Sequence, residues 1–227
     1  MKVFRCFYEA HMRSEQVGPC RLFLEEKKPL LQSLADEGKL MTFCLYENGP
    51  HLYLYYESLG VLREPGELLT GCESFLLPYP GMDQLRLWAE RTDVFHFNLP
   101  IDAYGWRRPK KPEKRRGSLA MLKPECISRY IFFHYGLQEE RNFLGDKYEI
   151  ISLRDNLLFG YFELPRLIEE PALPGRLHSG AMEAIWKEAD MGDNFYRWPD
   201  TGEYWKDLPL LIEIYPNCFA SGQQSES

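Results

Sequence analysis

Apolar and polar positions along this chain fall into a block pattern that occurs twice. The segments "LYLYYE" (52–57) and "LFGYFE" (158–163) lie 106 residues apart, and each reads as a strand of aromatic and aliphatic residues ending in an acid. Each follows another predicted strand, "KLMTFCLYEN" (39–48) and "KYEIISLRDN" (147–156), across a turn signalled by Asn-Gly-Pro or Arg-Asp-Asn. Upstream of each hairpin the pattern predicts a helix, over 19–37 and 125–144. Pro19 and Pro124 stand near the starts, where proline is tolerated, and Gly38 and Gly145 are expected to close the ends. Pro29 is expected to kink or shorten the first helix.

Extended openers, "KVFRCFYEA" (2–10) and "SLAMLK" (118–123), precede the helices. A second helix and a closing strand, "VFHFNLP" (94–100) or "LPLLIEIYP" (208–216), follow each hairpin. The order β-α-β-β-α-β, found twice, is that of the ferredoxin-like unit, an antiparallel sheet with helices on one face. The fold class expected is therefore α+β: two tandem ferredoxin-like domains whose bare sheet faces bury against each other in a pseudo-dimeric α+β barrel. The domains would span 1–104 and 118–217, joined by a basic Pro-containing linker at 105–117 and followed by a flexible tail at 218–227.

Composition narrows this picture. The net charge of −7 argues against nonspecific nucleic-acid binding, which needs a basic footprint. The run "RRPKKPEKRR" (107–116) holds seven Lys or Arg and one Glu, and its two prolines and acidic flanks make it read as a solvated linker. Six scattered cysteines without a C-x-x-C pair, and an opening "MKVFRCFYEA" without a signal-peptide core, point to reduced thiols in a cytoplasmic protein. No apolar run approaches the roughly 20 residues needed to span a membrane.

Candidate chemistry centres on "RYIFFHYG" (129–136), where Tyr130 and His134 are one helical turn apart on one face. His134 is either a hydrogen-bonded core residue or a group facing a cavity. The sequence lacks a phosphate-binding loop, a dinucleotide fingerprint, H-E-x-x-H and G-x-S-x-G, and its five histidines do not pair at metal-ligand spacing. Neither a cofactor nor a metal is expected.

From Gly117 to about Tyr215 the chain resembles the L-rhamnose mutarotases, small ferredoxin-like proteins that associate as dimers. The resemblance runs through "KPE" (123–125), Tyr130-x-x-x-His134, Tyr148, "NLLF" (156–159) and "IWKEADM" (185–191). It implies His134 as the catalytic proton donor and Tyr130, Tyr148 and Trp186 as substrate-binding residues around a monosaccharide. Ile185 departs from the family's paired tryptophans, and the aromatic segment "NFYRWPDTGEYW" (194–205) could supply the missing wall. A sugar mutarotase, a carbohydrate isomerase with acid/base catalysis at His134, is the reading this implies. Two alternatives remain open: another α+β barrel protein, cofactor-free monooxygenase-like or haem-handling, and a non-catalytic sugar-binding module. Alignment on the hairpins places Lys28 opposite His134 and Leu24 opposite Tyr130, so the first half would be a degenerate partner; a homodimer is compatible with an exposed edge.

Overall fold

The computed structural model describes residues 1–80, 86–188 and 190–217, apart from the side chains at 183, 186 and 187. In chain order the elements are β1 (Val3–Met12), α1 (Val17–Asp36), β2 (Leu40–Asn48), β3 (His51–Leu59), α2 (Pro65–Leu68), β4 (Leu76–Leu77), β5 (Ala89–Glu90), β6 (Thr92–His96) and α3 (Ala103–Trp106). There follow β7 (Lys114–Leu122), α4 (Ile127–Glu140), β8 (Gly145–Asp146), β9 (Ile150–Arg154), β10 (Leu157–Leu164), β11 (Ile168–Glu169), α5 (Ala181–Glu188), α6 (Met191–Asn194), β12 (Phe195–Tyr196), β13 (Trp205–Asp207) and β14 (Leu210–Ile214). The protein is α+β.

The chain divides into two units, and both are discontinuous in sequence. Unit 1 comprises Met1–Glu90, Pro100–Lys111 and the chain from Pro209; unit 2 comprises Arg91–Leu99 and Pro112–Leu208. The reason is an exchange of closing strands. β6, from the N-terminal half, pairs with β9 in a sheet ordered β12-β7-β10-β9-β6, with β13 also on β7. β14, from the C-terminal half, pairs with β2 in the sheet β14-β2-β3-β1-β4, with β5 also on β1. Hydrophobic pattern marks a strand but not its partner, so sequence reading had placed each closing strand in its own half.

The second helix expected after each hairpin also differs. Among the described residues of unit 1 that stretch holds the four-residue α2 and a 3-10 turn as its helical elements, while unit 2 has the eight-residue α5. α1 runs through Pro29, which is exposed and so faces its missing donor and ring outward. Gly38, at φ +71, follows the end of α1 as expected, whereas α4 ends earlier than Gly145, at Arg141 in the left-handed region (φ 45).

The basic run is not a solvated linker throughout. Trp106 and Arg108 are buried in unit 1, where Glu57, fully buried on β3, accepts hydrogen bonds from Tyr55 Oη (2.6 Å), Trp106 Nε1 (2.9 Å) and Arg108 Nη2 (2.9 Å). Burial alone would raise the Glu57 pKa, but the Arg108 guanidinium outweighs it and holds the carboxyl below its ordinary value. Arg115 is buried as well, on β7 in unit 2. Cys6, Cys20, Cys44, Cys72 and Cys126 are buried and form no disulfide, and Cys218 lies outside the described residues. Among the described residues no helix is long and apolar enough to cross a membrane.

Candidate functional site in unit 2

The repeat can be followed residue by residue through the strand registers. Tyr161 Oη donates to Glu163 Oε1 at 2.6 Å, as Tyr55 does to Glu57, so β3 and β10 correspond with a shift of 106. Glu57 stands opposite Arg5, and Glu163 opposite Arg115, which gives a shift of 110 for β1 and β7. The same shift carries the 3-10 turn Ser14–Gln16 onto Pro124–Cys126 and the helix start Val17 onto Ile127. His134 therefore corresponds to Leu24, and Tyr130 to Cys20. The hairpin alignment that placed Lys28 and Leu24 there was displaced by one helical turn, because α1 is 20 residues long and α4 is 14.

The four equivalents differ in chemistry, and so do their surroundings. In unit 1 Cys20 and Leu24 belong to one buried cluster with Tyr8, Phe43, Leu54 and Tyr56. In unit 2 the positions of Tyr8, Phe43 and Leu54 hold Ser118, Glu149 and Gly160 by the shifts above. The smaller residues leave a cavity of about 590 Å³ between α4 and its sheet. A Cβ on Gly160 would meet the Trp205 ring at 3.1 Å, so glycine is what lets that indole lie across the strand. Phe195 and Trp205, from the aromatic segment 194–205, both line the cavity, together with Phe95, Phe143 and Phe162.

Two of the residues singled out in the sequence meet here. Tyr130 and His134 line the cavity from α4 with 3% and 2% of their surface exposed, their rings 3.9 Å apart between centroids. Phe95 meets His134 edge-on at 5.1 Å. His134 Nδ1 lies 2.9 Å from the Tyr130 carbonyl oxygen, which can only accept, so Nδ1 carries the proton and Nε2 the lone pair. Burial pulls the His134 pKa down to about 4, against a smaller upward pull from that carbonyl. The ring is thus neutral at physiological pH. Burial and then the Glu149 charge push the Tyr130 phenol upward, so it too stays neutral.

Tyr148 does not join them. It is buried in the turn between β8 and β9, two residues before the strand it was expected to open, its backbone NH donating to Asp146 Oδ1 at 3.3 Å. It is not among the residues that line the cavity; its neighbour Glu149 is. The Trp186 side chain lies outside the described residues.

Sequence reasoning missed Arg116, Glu149, Phe162 and Arg166. Glu149 reaches the cavity because the strand that runs unbroken in unit 1 from Leu40 to Asn48 is interrupted in unit 2 by a turn at 147–149. Its side chain is 31% exposed, and burial raises its pKa while Arg166 lowers it. Arg166 Nη1 is 3.8 Å from Glu149 Oε2, and Arg166 Nε is 3.9 Å from Asp146 Oδ2. Asp146 itself is buried, and burial lifts its carboxyl to about 6. Comparison of the two copies, Ser118 against Tyr8 and Gly160 against Leu54, is the signal that could have located the cavity.

No family model matches the sequence, and no curated protein matches it. Among solved structures the chain is similar to a "putative monooxygenase" from Lactobacillus acidophilus NCFM, with 7% identity over 95% of this chain and 97% of that one, at a TM-score of 0.39. A second "putative monooxygenase", from Fusobacterium nucleatum, gives 9% identity, 94% coverage of each chain and a TM-score of 0.41. An "anthrone oxidase-like protein" gives 9% identity, 93% and 95% coverage, and a TM-score of 0.35. Likeness at this level transfers no activity.

The resemblance to L-rhamnose mutarotases is nevertheless overturned, and with it the readings isomerase, mutarotase and carbohydrate. No family model supports it and the similar structures bear other names. The site gives the physical reason: a neutral, buried His134 has no imidazolium proton to donate, and Tyr148 is not in the cavity wall.

Proposed function

We propose that unit 2 is an enzyme site that binds a flat aromatic molecule and removes an acidic proton from it, with Glu149 as the base. The observation that carries this reading is a partly buried carboxylate of raised pKa on the same aromatic-lined wall as a neutral histidine. A general base works best when its pKa approaches the working pH. Burial moves Glu149 toward that range and His134 away from it. The neutral His134 then forms the uncharged floor of the site, while Phe95, Phe162, Phe195 and Trp205 take the ring faces. The cavity volume of about 590 Å³ suits a molecule of two or three fused rings.

Proton removal from an activated C–H leaves a delocalised carbanion, the kind of species that reacts with dioxygen without a cofactor. A cofactor-free oxygenase is thus one fate of the intermediate, and a tautomerase is the other. The positions of His134, Glu149 and Ser118 hold Leu24, Phe43 and Tyr8 in unit 1, which supports placing the site in unit 2.

The test uses 2-tetralone, a bicyclic ketone with acidic benzylic hydrogens, in deuterated buffer. Wild type should accelerate hydrogen–deuterium exchange, read by NMR, and Glu149→Gln should lower the enzymatic rate by about 100-fold, the scale of one general base. Binding of the ketone, followed through Trp205 fluorescence, should change less than threefold in that variant. Exchange in wild type no faster than in buffer, or unchanged in Glu149→Gln, overturns the proposal. Oxygen uptake in the same assay assigns the oxygenase fate, and its absence the tautomerase fate.

A further inference from the structure

The cavity wall carries two arginines that do not themselves take part in proton removal, although Arg166 lies near the Glu149 carboxylate. Arg116 and Arg166 both line the cavity, and both guanidiniums lie over the Phe162 ring, 5.2 and 5.0 Å from its centroid. Their side chains are 37% and 46% exposed, against 2% for His134, so the cationic groups mark the mouth and the histidine the depth. Arg116 is fixed by an ion pair from its Nε to Asp207 Oδ1. Arg166 has Asp146 and Glu149 near it at 3.9 and 3.8 Å, and neither distance is a hydrogen bond. Its planar fork therefore retains the geometry that takes an oxyanion in bidentate fashion.

The fold does not require these charges. By the shifts established above, Arg116 corresponds to Cys6, Phe162 to Tyr56 and Arg166 to Gly60 in unit 1. Nor do they follow from overall charge, which is −7. A pair of cations over one aromatic ring in an acidic chain, present on the cavity wall and absent at the corresponding positions Cys6, Tyr56 and Gly60 of unit 1, belongs to the cavity. We infer that the aromatic ligand carries an anionic group, a carboxylate or a similar oxyanion, which Arg166 binds at the cavity mouth with Arg116 beside it. This rests on the reading of the cavity as an aromatic-ligand site, and it adds the charge and the orientation of that ligand: anionic end outward, reactive ring edge inward toward Glu149 and His134.

A matched pair of probes tests it, 2-naphthoate and 2-naphthamide, which share ring and shape and differ in charge. Titration by intrinsic fluorescence should show wild type binding naphthoate about tenfold more tightly, a difference worth about 1.4 kcal/mol. Arg166→Gln should lose that tenfold for naphthoate and change naphthamide by less than twofold, while Arg166→Lys keeps part of the preference. Arg116→Gln, removing a guanidinium already held by Asp207, should cost about threefold. Equal affinity of wild type for the two probes, or equal losses of both in Arg166→Gln, overturns the anionic ligand and leaves the proton-removal reading standing. Failure of both probes to bind overturns the two together.

Discussion

Units 1 and 2 share strand registers, a Tyr-x-Glu pair on the second hairpin strand and a helix that starts straight after a 3-10 turn, yet the positions that pack an apolar cluster in one line a cavity in the other. The difference lies in a few positions. Tyr8, Leu24, Phe43 and Leu54 fill unit 1, and Ser118, His134, Glu149 and Gly160 replace them in unit 2. Each replacement removes volume or adds a polar group that an aliphatic core would not tolerate. In unit 2 the cost of those groups is met locally, by the Tyr130 carbonyl for His134 and by Arg166 near Glu149. The same set of positions thus packs an apolar core in unit 1 and lines a cavity with titratable groups in unit 2.

The largest expected effect comes from separating the units at their sequence midpoint. Residues 1–104 alone would lack β14 and expose the β2 edge, while β6 would have no β9 to pair with. Neither 1–104 nor 105–227 should give a cooperative thermal transition alone, and mixing them should restore one. A cooperative melt of either fragment by itself would show that the exchanged strands are dispensable.

Next in size is the exchange of core residues between copies. Leu24→His places an imidazole in the aliphatic core of unit 1 and should destabilise by about 3 to 5 kcal/mol, from lost apolar volume plus an unpaired polar ring. The reciprocal change, His134→Leu, should be nearly neutral at pH 8. The sign of its pH dependence follows from a depressed pKa. His134 binds its proton near pH 4 when folded and near 6.5 when unfolded, so its contribution is present above about 6.5 and lost as pH falls toward 4. His134→Leu should therefore melt higher than wild type at pH 4.5, by an amount on the order of 2 kcal/mol. Denaturant titration at the two pH values checks both variants. A Leu24→His loss under 1 kcal/mol would mean unit 1 is less tightly filled than its contacts indicate.

Much of this contrast could be read from the chain, and the part that could not has a physical cause. The duplicated hairpins were legible because alternation at a period of two and Asn-Gly or Asp-Asn turns are local signals. Tyr130 and His134 were legible as a pair because one helical turn sets their spacing. The exchanged strands β6 and β14 were not, since a strand's partner is decided by pairing over long sequence distances. Glu149 was hidden by a break in regular structure that leaves no mark on hydrophobic pattern, and Tyr148, the more conspicuous neighbour, drew attention instead. Arg108 and Arg115 were read as solvated because their run is basic, but a buried carboxylate such as Glu57 can draw an arginine inward.

A smaller effect on binding follows from refilling the cavity as unit 1 fills its own core. Gly160→Leu introduces the residue found at Leu54 and pushes against the Trp205 ring, which a Cβ alone would already meet at 3.1 Å. Affinity for 2-naphthoate should fall about 100-fold, some 2.7 kcal/mol, with stability changed by under 2 kcal/mol. Retained binding would place the ligand away from the β10 wall and detach function from the difference between the copies.

The smallest expected effect sharpens the comparison at one buried position. The shift of 106 puts Asp146 where unit 1 has the fully buried Leu40. Asp146 is buried too, and its Oδ2 makes no hydrogen bond, with Arg166 Nε at 3.9 Å as its nearest compensation. Burial raises its folded pKa to about 6 from an ordinary value of 3.8. A raised carboxyl contributes stability that is fully present below pH 3.8 and is lost as pH rises through 6, so at pH 8 the ionised group is a burden. Asp146→Asn removes the charge at nearly constant shape and should stabilise by about 1 to 2 kcal/mol at pH 8. The gain should shrink toward zero near pH 4, where wild type is itself protonated. Thermal melts of the two proteins across that range decide it. A loss of stability that is equal at both ends would mean that the Asp146 charge is held by its surroundings, and that unit 2 depends on a polar anchor where unit 1 uses a leucine.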